Sequence, residues 1–388
     1  MDGEATLILG ADWAPIRHFG EVIAADPIRV YGNLTDVLAD ADFRVFNLES
    51  PLAGGRFIAK SGAAFTGDPA AVAALDAVHC DAVTLANNHV FDCGPAGFAA
   101  TRRLLNDHGI AAFGAGNDAD EARNVLTVTL HGLRVAMYAI SEGEDLLCAT
   151  ATTPGVRGWE VERLADELRR DRDKYDFRIV IAHCGLEYQP FPSFYVYEAF
   201  RLWAEAGADL IVGHHPHVVQ GMTRFGRVPA FFSLGNFVFY QETKLLHRKR
   251  GILLKVRLSR AHGVTAEPIP YRIDADRVRK PTSEEAERFA ADFAELSAPL
   301  GDPDHARAAW HAVLAHYGAA GLSGELEKIA GTLQTDSVKG AAMLRNRLFC
   351  MQHRTQWCDA LERILAGTID DADPRLLAMV RRYFTEEL

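Results

Sequence analysis

The stretch 209–221, DLIVGHHPHVVQG, places three histidines directly after a short apolar run. The run has the length and composition of a strand that is buried on both faces. A His-x-His pair that closes such a strand has few structural reasons to exist. In open α/β sheets, ligands bind at the carboxyl ends of the strands. The stretch therefore predicts an α/β fold with a functional site at that edge.

Polar side chains follow four other apolar runs in the same way. They are Asp12 after ATLILGA, Asn47 and Glu49 at the end of FRVFNLE, Asn88 and His89 after DAVTLAN, and His183 at the end of FRIVIAH. Each has a structural alternative: a turn or helix cap for Asp12 and for Asn88-His89, a solvated strand end for Glu49, and a core histidine for His183. As a set, however, they predict side chains that converge on one rim and bind a metal ion.

The rest of the chain up to about residue 275 alternates further strand-like runs with helical patterns. RVAMYAI and VPAFFSLG read as strands, and hairpins are expected around His131-Gly132 and within 251–273. Residues 281–388 are rich in Ala, Leu, Glu and Arg, and they predict about five helices and no strand. We therefore expect a layered α/β domain over 1–280 and a helical extension over 281–388.

Composition limits the possible partners. The 388 residues carry a formal net charge of −11, which argues against binding to nucleic acid or to an anionic membrane surface. The first residues show neither a basic segment nor a long apolar one, and no run approaches the roughly 18–20 apolar residues of a membrane span. Six scattered cysteines fit reduced thiols. A cytoplasmic protein is expected, and its oligomeric state is left open.

Several motifs together resemble one known family. NLE, ANNHVFDCG, HCGLEY, GHHPHVVQG and SLGNFVF are similar to the CapA-type family of capsule and poly-γ-glutamate biosynthesis, over roughly residues 5–275. That family belongs to the calcineurin-like metallophosphoesterase superfamily. The resemblance implies an αββα sandwich with metal at the strand ends. By position, the resemblance implies that His89 is an acid/base residue, and it leaves His214 unassigned. The metal ligands that it implies are Asp12, Glu49, Asn88, His183, His215 and His217.

Two positions depart from the parent phosphoesterases. Their Asp-x-His at the first strand is Asp12-Trp13-Ala14 here, and their Gly-Asp-x-x-Asp at the second is Phe46-Asn47-Leu48-Glu49-Ser50. In-line phosphoryl displacement between two metals needs both ions held tightly. We therefore expect one divalent ion rather than two, with Ca, Mn, Mg and Zn not distinguished.

The lost ligands favour proton transfer over phosphoester cleavage. The chain resembles the soluble branch of the family that epimerises the C-terminal residue of lasso-peptide precursors, because it has no apparent anchor and a long helical extension. Inverting a Cα needs a base on one face and an acid on the other, and histidine suits both roles. We expect His89 with Asp92 as one pair, and His215 or His217, oriented by Asp12, as the other.

The expected partner is thus a peptide substrate. The alternatives are a CapA-like enzyme of poly-γ-glutamate or capsule metabolism, a metallophosphoesterase hydrolase, and a binding module without catalysis. Four further residues are candidates for substrate binding. Lys60 could pair a substrate carboxylate or be a solvated loop lysine, Glu187 and Tyr188 could line the pocket or begin a loop, and Asn236 could tie the sheet edge to the site.

Overall fold

The computed structural model describes residues 3–388, and it contains two large β-sheets with helices around them. The strands are β1 (Glu4–Trp13), β2 (Phe43–Leu48), β3 (Ala82–Thr84), β4 (Ala111–Phe113), β5 (Ala115–Gly116), β6 (Leu126–Leu130), β7 (Leu133–Ser141), β8 (Gly155–Val156), β9 (Phe177–His183), β10 (Leu210–His214), β11 (Met222–Phe225), β12 (Val228–Phe231), β13 (Arg250–Ser259), β14 (Gly263–Ile273) and β15 (Val278–Arg279). The helices are α1 (His18–Ala25), α2 (Thr35–Ala39), α3 (Val72–Ala77), α4 (Gly94–Asp107), α5 (Ala119–Ala122), α6 (Val161–Arg170), α7 (Phe194–Ala206), α8 (Ser283–Ser297), α9 (Pro303–Thr335), α10 (Ser337–Phe349), α11 (Met351–Leu365) and α12 (Pro374–Thr385).

The first large sheet has seven strands in the order β15-β14-β13-β1-β2-β3-β4. Strands β1 to β4 run parallel, and the hairpin of β13 and β14 pairs antiparallel with the other edge of β1. The parallel part places the ends of β1, β2 and β3 at one edge. Asp12 of β1 lies in register with Asn47 of β2 there.

The second large sheet has six strands in the order β11-β12-β10-β9-β7-β6. Its four central strands are parallel, and the expected hairpin at His131-Gly132 joins β6 to β7. His183 of β9 and His214 of β10 are paired at the carboxyl end of this sheet. Both histidine-bearing segments therefore leave the sheet side by side.

The two sheets pack face to face. Alternate side chains of each strand point to opposite faces of its sheet, so one set packs between the sheets and the other against helices. Val135 and Met137 of β7 belong to a core that also contains Leu7 of β1, whereas Ala136 and Tyr138 between them pack in a core with side chains of α6 and α7. Helices α3 and α4 cover the outer face of the first sheet through the shared core. The expected αββα sandwich is confirmed.

Five helices follow the second hairpin, as the composition of the C-terminal segment predicts. The longest of them, α9, is kinked within GAAGLSG, where Gly318 has a φ of +59°. Within residues 3–388, no helix is both long and apolar enough to cross a membrane.

The C-terminal end of the chain is joined to the second hairpin by a buried histidine. His247 hydrogen-bonds Glu386 through Nε2 at 2.7 Å, and its Nδ1 accepts from Arg250 at 2.7 Å. Its ring stacks on Tyr383, with the centroids 3.7 Å apart. Burial and the Arg250 cation lower the pKa of His247 to about 3. The native protein thus keeps this imidazole neutral.

This neutrality predicts a pH-dependent stability. Below its ordinary pKa of about 6.5 the unfolded chain binds a proton at His247 that the native protein rejects, so stability is lost as pH falls from about 6.5 towards 3. The expected contribution approaches about 1.4 kcal/mol per pH unit. Urea unfolding of wild type and His247→Gln should show a stability difference that shrinks as pH falls through this window. A difference that is constant with pH would contradict the prediction.

Candidate metal and proton-transfer site

Asp12 is fully buried near the carboxyl end of β1, where it contacts residues from both sheets. Its Oδ1 accepts hydrogen bonds from Asn47 Nδ2 at 2.8 Å and from His214 Nδ1 at 3.1 Å, and its Oδ2 lies 3.3 Å from His217 Nδ1. Burial raises its pKa, but the hydrogen bonds from His214 and His217 outweigh this and hold the pKa of Asp12 well below its usual range. Asp12 is therefore a carboxylate that organises the histidines around it.

Asn47 links Asp12 to His183. The Asn47 amide nitrogen that donates to Asp12 also lies 3.1 Å from His183 Nδ1, and its oxygen accepts from Asn87 at 3.1 Å. A hydrogen-bond donor thus faces both Asp12 and His183 at the position where the parent phosphoesterases have a bridging carboxylate. An amide nitrogen cannot bind a cation, so Asn47 Nδ2 is not a metal ligand in this arrangement.

Among residues 3–388, neither carboxylate oxygen of the buried Glu49 has a hydrogen-bond partner. Its Oε1 lies 3.5 Å from His183 Nε2 and 3.6 Å from His217 Nε2. Burial, and then the negative charge of Asp12, raise the pKa of Glu49 well above its usual range. Burying an ionised carboxylate costs free energy unless a positive charge or hydrogen-bond donors compensate its charge.

Glu49, His215 and His217 form a group that fits a metal ion. One ligand atom from each lies within 4.8 Å of the others, and all three residues are buried. His215 Nδ1 also has no hydrogen-bond partner. The two histidines leave β10 with φ values of +98° and +55°, a strained turn of the kind found at functional sites. Burial would lower the pKa of His217, yet Glu49 and Asp12 raise it to about 10. The same negative potential would attract a cation.

His183 and Asn88, also predicted as ligands, contact each other beside this group. His183 Nε2 lies 3.0 Å from Asn88 Oδ1, and Asn88 Nδ2 donates to Glu144 Oε2 at 2.7 Å. Because Asn47 donates to the other ring nitrogen, His183 is the neutral tautomer with its proton on Nε2. Their role as metal ligands stays a prediction. To bind a cation, His183 and Asn88 would have to break the hydrogen bond between them.

His89 and Asp92 form the expected pair on the opposite side. His89 Nδ1 lies 2.7 Å from Asp92 Oδ2, and the Phe65 ring stacks on the imidazole with centroids 3.9 Å apart. Burial and the neighbouring Lys60 cation lower the pKa of His89 to about 4. The ring is thus neutral, with Asp92 holding the proton on Nδ1 and leaving Nε2 free to accept one.

Lys60 lines the cavity, but its ammonium is held by this pair. Its Nζ donates to Asp92 Oδ1 and to the Asn88 carbonyl, both at 2.8 Å, and lies 3.2 Å from His89 Nδ1. The residue is 5% exposed. A substrate carboxylate could reach this ammonium only by displacing one of these partners.

A cavity of about 470 Å³ opens over the site, and both histidine pairs reach it. His89 lines it from the first sheet and His217 from the second. The candidates Glu187 and Tyr188 also line it. Asn236 does not, because it is fully buried and its Oδ1 accepts from His217 Nδ1 at 2.9 Å. Asn236 therefore orients the His217 imidazole from the interior side of the site.

Three residues that the sequence analysis missed complete the site. Glu144 lines the cavity and accepts from Asn346 Nδ2 of α10 at 2.8 Å, while His353 Nε2 of α11 lies 3.3 Å away. Glu144 lies in SEGEDLL, at the end of β7, so the rule of polar residues at strand ends could have found it. Asn346 and His353 carry no comparable signal, because each lies within an ordinary helical pattern.

Comparison with protein families yields a match over most of the chain. The family model described as bacterial capsule synthesis protein PGA_cap matches residues 6–241. This range contains every residue assigned above to the metal group and to the two histidine pairs. Glu144 is inside the matched range, whereas Asn346 and His353 are outside it.

Curated relatives share only part of their length with this chain. The capsule biosynthesis protein CapA of Bacillus anthracis is 32% identical over 164 residues, which are 41% of this chain and 40% of the relative. The PGA biosynthesis protein CapA of Bacillus subtilis (strain 168) is 31% identical over 40% of this chain and 42% of its own length. A probable polyglutamine synthesis accessory protein of Mycobacterium tuberculosis is 25% identical, over 67% of this chain and 73% of its own length.

Solved structures resemble the fold at low identity. A hypothetical protein from Thermus thermophilus is 14% identical with a TM-score of 0.45, over 69% of this chain and 100% of its own. A 5'-nucleotidase precursor from the same organism is 17% identical with a TM-score of 0.44, over 76% and 59%.

We expect Glu49 to contribute strongly to cation affinity and to contribute nothing to the stability of the metal-free protein. We expect Glu49→Gln to weaken Mn²⁺ binding by about tenfold or more, because the negative ligand is lost, and to leave the protein in EDTA at least as stable as wild type, because an uncompensated buried carboxyl group is removed. Titration calorimetry and thermal unfolding in EDTA measure the two effects. Unchanged Mn²⁺ affinity would contradict the assignment.

Asn346 should act on the site from α10. We expect Asn346→Ala to weaken Mn²⁺ binding roughly tenfold, because Glu144 loses a partner and no longer holds Asn88 in place. Gln352→Ala is the matched control, since Gln352 is an equally buried amide in the next helix that has no hydrogen bond to Glu144. Equal effects of both variants would mean general destabilisation instead.

Proposed function

This chain belongs to the bacterial capsule synthesis protein family PGA_cap, and from that premise we propose that it is a metal-dependent enzyme acting on a peptide-like chain. The reaction that we propose is inversion of the Cα of the C-terminal residue of a peptide, with a ribosomal precursor of the lasso type as the substrate. The observation that carries this proposal is the pair of carboxylate-linked imidazoles, His89 with Asp92 and His217 with Asp12, that reach one cavity from different sheets.

The two imidazoles are separated by an apolar wall. Phe65 stacks on His89, Phe239 lies edge-on to His217 at 4.9 Å, and the two phenylalanine rings are 5.7 Å apart. A substrate residue bound against this wall would have one imidazole from each sheet beside it. This arrangement supports a two-base reaction and a substrate residue with an apolar side chain.

In the proposed reaction, one histidine removes the Cα proton while the other donates a proton to the opposite face. The neutral His89 suits proton removal, because Asp92 fixes its Nδ1–H and stabilises the imidazolium that forms. His217 can return a proton from the other side, with Asp12 and Asn236 orienting its ring. The reverse direction exchanges the two roles. In this reaction a divalent ion held by Glu49 and His215 would supply electrostatic stabilisation of the negative charge that develops on the substrate, which leaves His217 Nε2 free to carry the proton.

A second candidate is an activity in capsule or poly-γ-glutamate metabolism, including hydrolysis. It is favoured by the family match and by the names of the Bacillus relatives, and it has the more direct support from similarity. The matched segments cover only about two fifths of those relatives. Phosphoester hydrolysis is the least favoured, because Asn47 stands where a bridging carboxylate would hold a second ion.

Deuterium incorporation separates these candidates. We expect the Mn²⁺-loaded protein in deuterated water to incorporate one deuteron at the C-terminal Cα of a peptide and to produce both epimers. Poly-γ-glutamate and a generic phosphate ester are incubated in parallel. Mass spectrometry and chiral amino-acid analysis give the readout. Metal-dependent cleavage of polyglutamate or of the ester, with no exchange at Cα, would refute the epimerase and support a hydrolase.

His89→Ala should abolish the exchange and leave Mn²⁺ binding nearly unchanged, since His89 is outside the metal group. His108→Ala is the control, because His108 and Asp76 form a similar pair, 2.7 Å apart, on the surface. If His89→Ala also loses the ion, His89 is a ligand rather than an acid/base residue.

A further inference from the structure

Three cationic side chains line the cavity that contains His89 and His217: Arg17, Lys60 and Arg248. The Lys60 ammonium donates to Asp92 and to the Asn88 carbonyl, and the Asp92 carboxylate compensates its charge. Arg17 is exposed at the rim and donates to the Tyr240 carbonyl at 3.3 Å. The cavity thus has one half-buried cation whose charge is not used by the chain itself.

That cation is Arg248, whose guanidinium carbon lies over the ring of Tyr188, 3.6 Å from the ring centre. Within residues 3–388, Arg248 forms no ion pair with a carboxylate, although Glu187 and Glu242 also line the cavity. Stacking fixes the plane of a guanidinium while leaving its edge free to bind a carboxylate with two parallel hydrogen bonds.

The ring that supports Arg248 is itself held firmly. Tyr188 has a φ of +63°, its backbone N–H donates to the Pro216 carbonyl at 2.7 Å, and its hydroxyl accepts from Gln241 at 3.3 Å. The ring centre lies 6.0 Å from that of His217. A carboxylate at Arg248 would therefore leave the carbon that bears it close to the His217 side of the cavity.

We propose that Arg248 binds the carboxylate of the substrate and selects chains that end in a free acid. This inference rests on the proposed function, since it names the group that would hold the C-terminal residue between the two imidazoles. The exposed Glu187 and Glu242 strengthen the selection, because a carboxylate placed elsewhere at the mouth would meet negative charge.

The test compares the binding of two peptides that contain no glutamate and differ only in a C-terminal carboxylate or carboxamide. Titration calorimetry on the Mn²⁺-loaded protein should show that wild type binds the acid about tenfold or more tightly than the amide, as expected for charged hydrogen bonds. Arg248→Gln should bind both peptides with similar affinity, and Arg248→Lys should recover part of the preference. Arg17→Gln, which removes the same charge from the rim, should keep it.

The outcomes separate this inference from the proposed reaction, because binding is measured without turnover. A preference that persists in Arg248→Gln, or that is absent from wild type, would overturn the inference. An acid preference that depends on Arg248, with no deuterium exchange at Cα, would support the carboxylate site and refute the epimerase. A short γ-linked glutamate oligomer is the second ligand. If its affinity alone depends on Arg248, the inference of a chain-terminal carboxylate is overturned in favour of glutamyl carboxylates.

Discussion

Two carboxylates, Asp12 and Glu49, are buried where the two sheets meet, and the surrounding residues are arranged to compensate their charge. Asp12 is satisfied by His214, His217 and the Asn47 amide. Glu49 has neighbours but no hydrogen bond. Because removing a charge from water is expensive, such a position persists only where something else recovers the cost. A cation bound by Glu49 and the two histidines would do so, and this requirement explains why the histidines gather at this point.

The sandwich makes this gathering possible, because each sheet supplies a different part of the site. The parallel strands of the first sheet bring Asp12, Asn47 and Glu49 together, and those of the second bring His183 beside the histidines that follow β10. Neither edge alone contains a complete set of ligands. The hydrogen bond between Asn47 and His183 crosses from one sheet to the other. The packing of the sheets and the geometry of the site therefore depend on each other.

The C-terminal helices take part in the site through Glu144. Asn346 and His353 reach it from α10 and α11, and Lys339 of α10 donates to the carbonyls of Lys60 and Gly62. Helix α10 thus holds the backbone beside Lys60 directly and holds Asn88 through Glu144. We propose on this basis that the region after residue 280 is a separate helical unit that supports the cavity from outside, through Glu144 and the backbone beside Lys60.

The sequence by itself determined the layered α/β fold, the two hairpins, the five C-terminal helices and the strand ends where the site lies. Those features follow from local periodicity and from polar residues that interrupt buried runs, which one chain segment can display alone. It also indicated the His89–Asp92 pair, whose members are three residues apart. The partners of Lys60, Asn236 and Arg248 were decided by the tertiary structure, because each depends on side chains from distant segments. Sequence reasoning left Lys60 either to a substrate carboxylate or to solvent, whereas packing places its ammonium against Asp92 and leaves Arg248 over Tyr188 as the available cation. Which charge is neutralised inside the protein, and which remains for a ligand, depends on distances across the assembled fold, and no local pattern contains them.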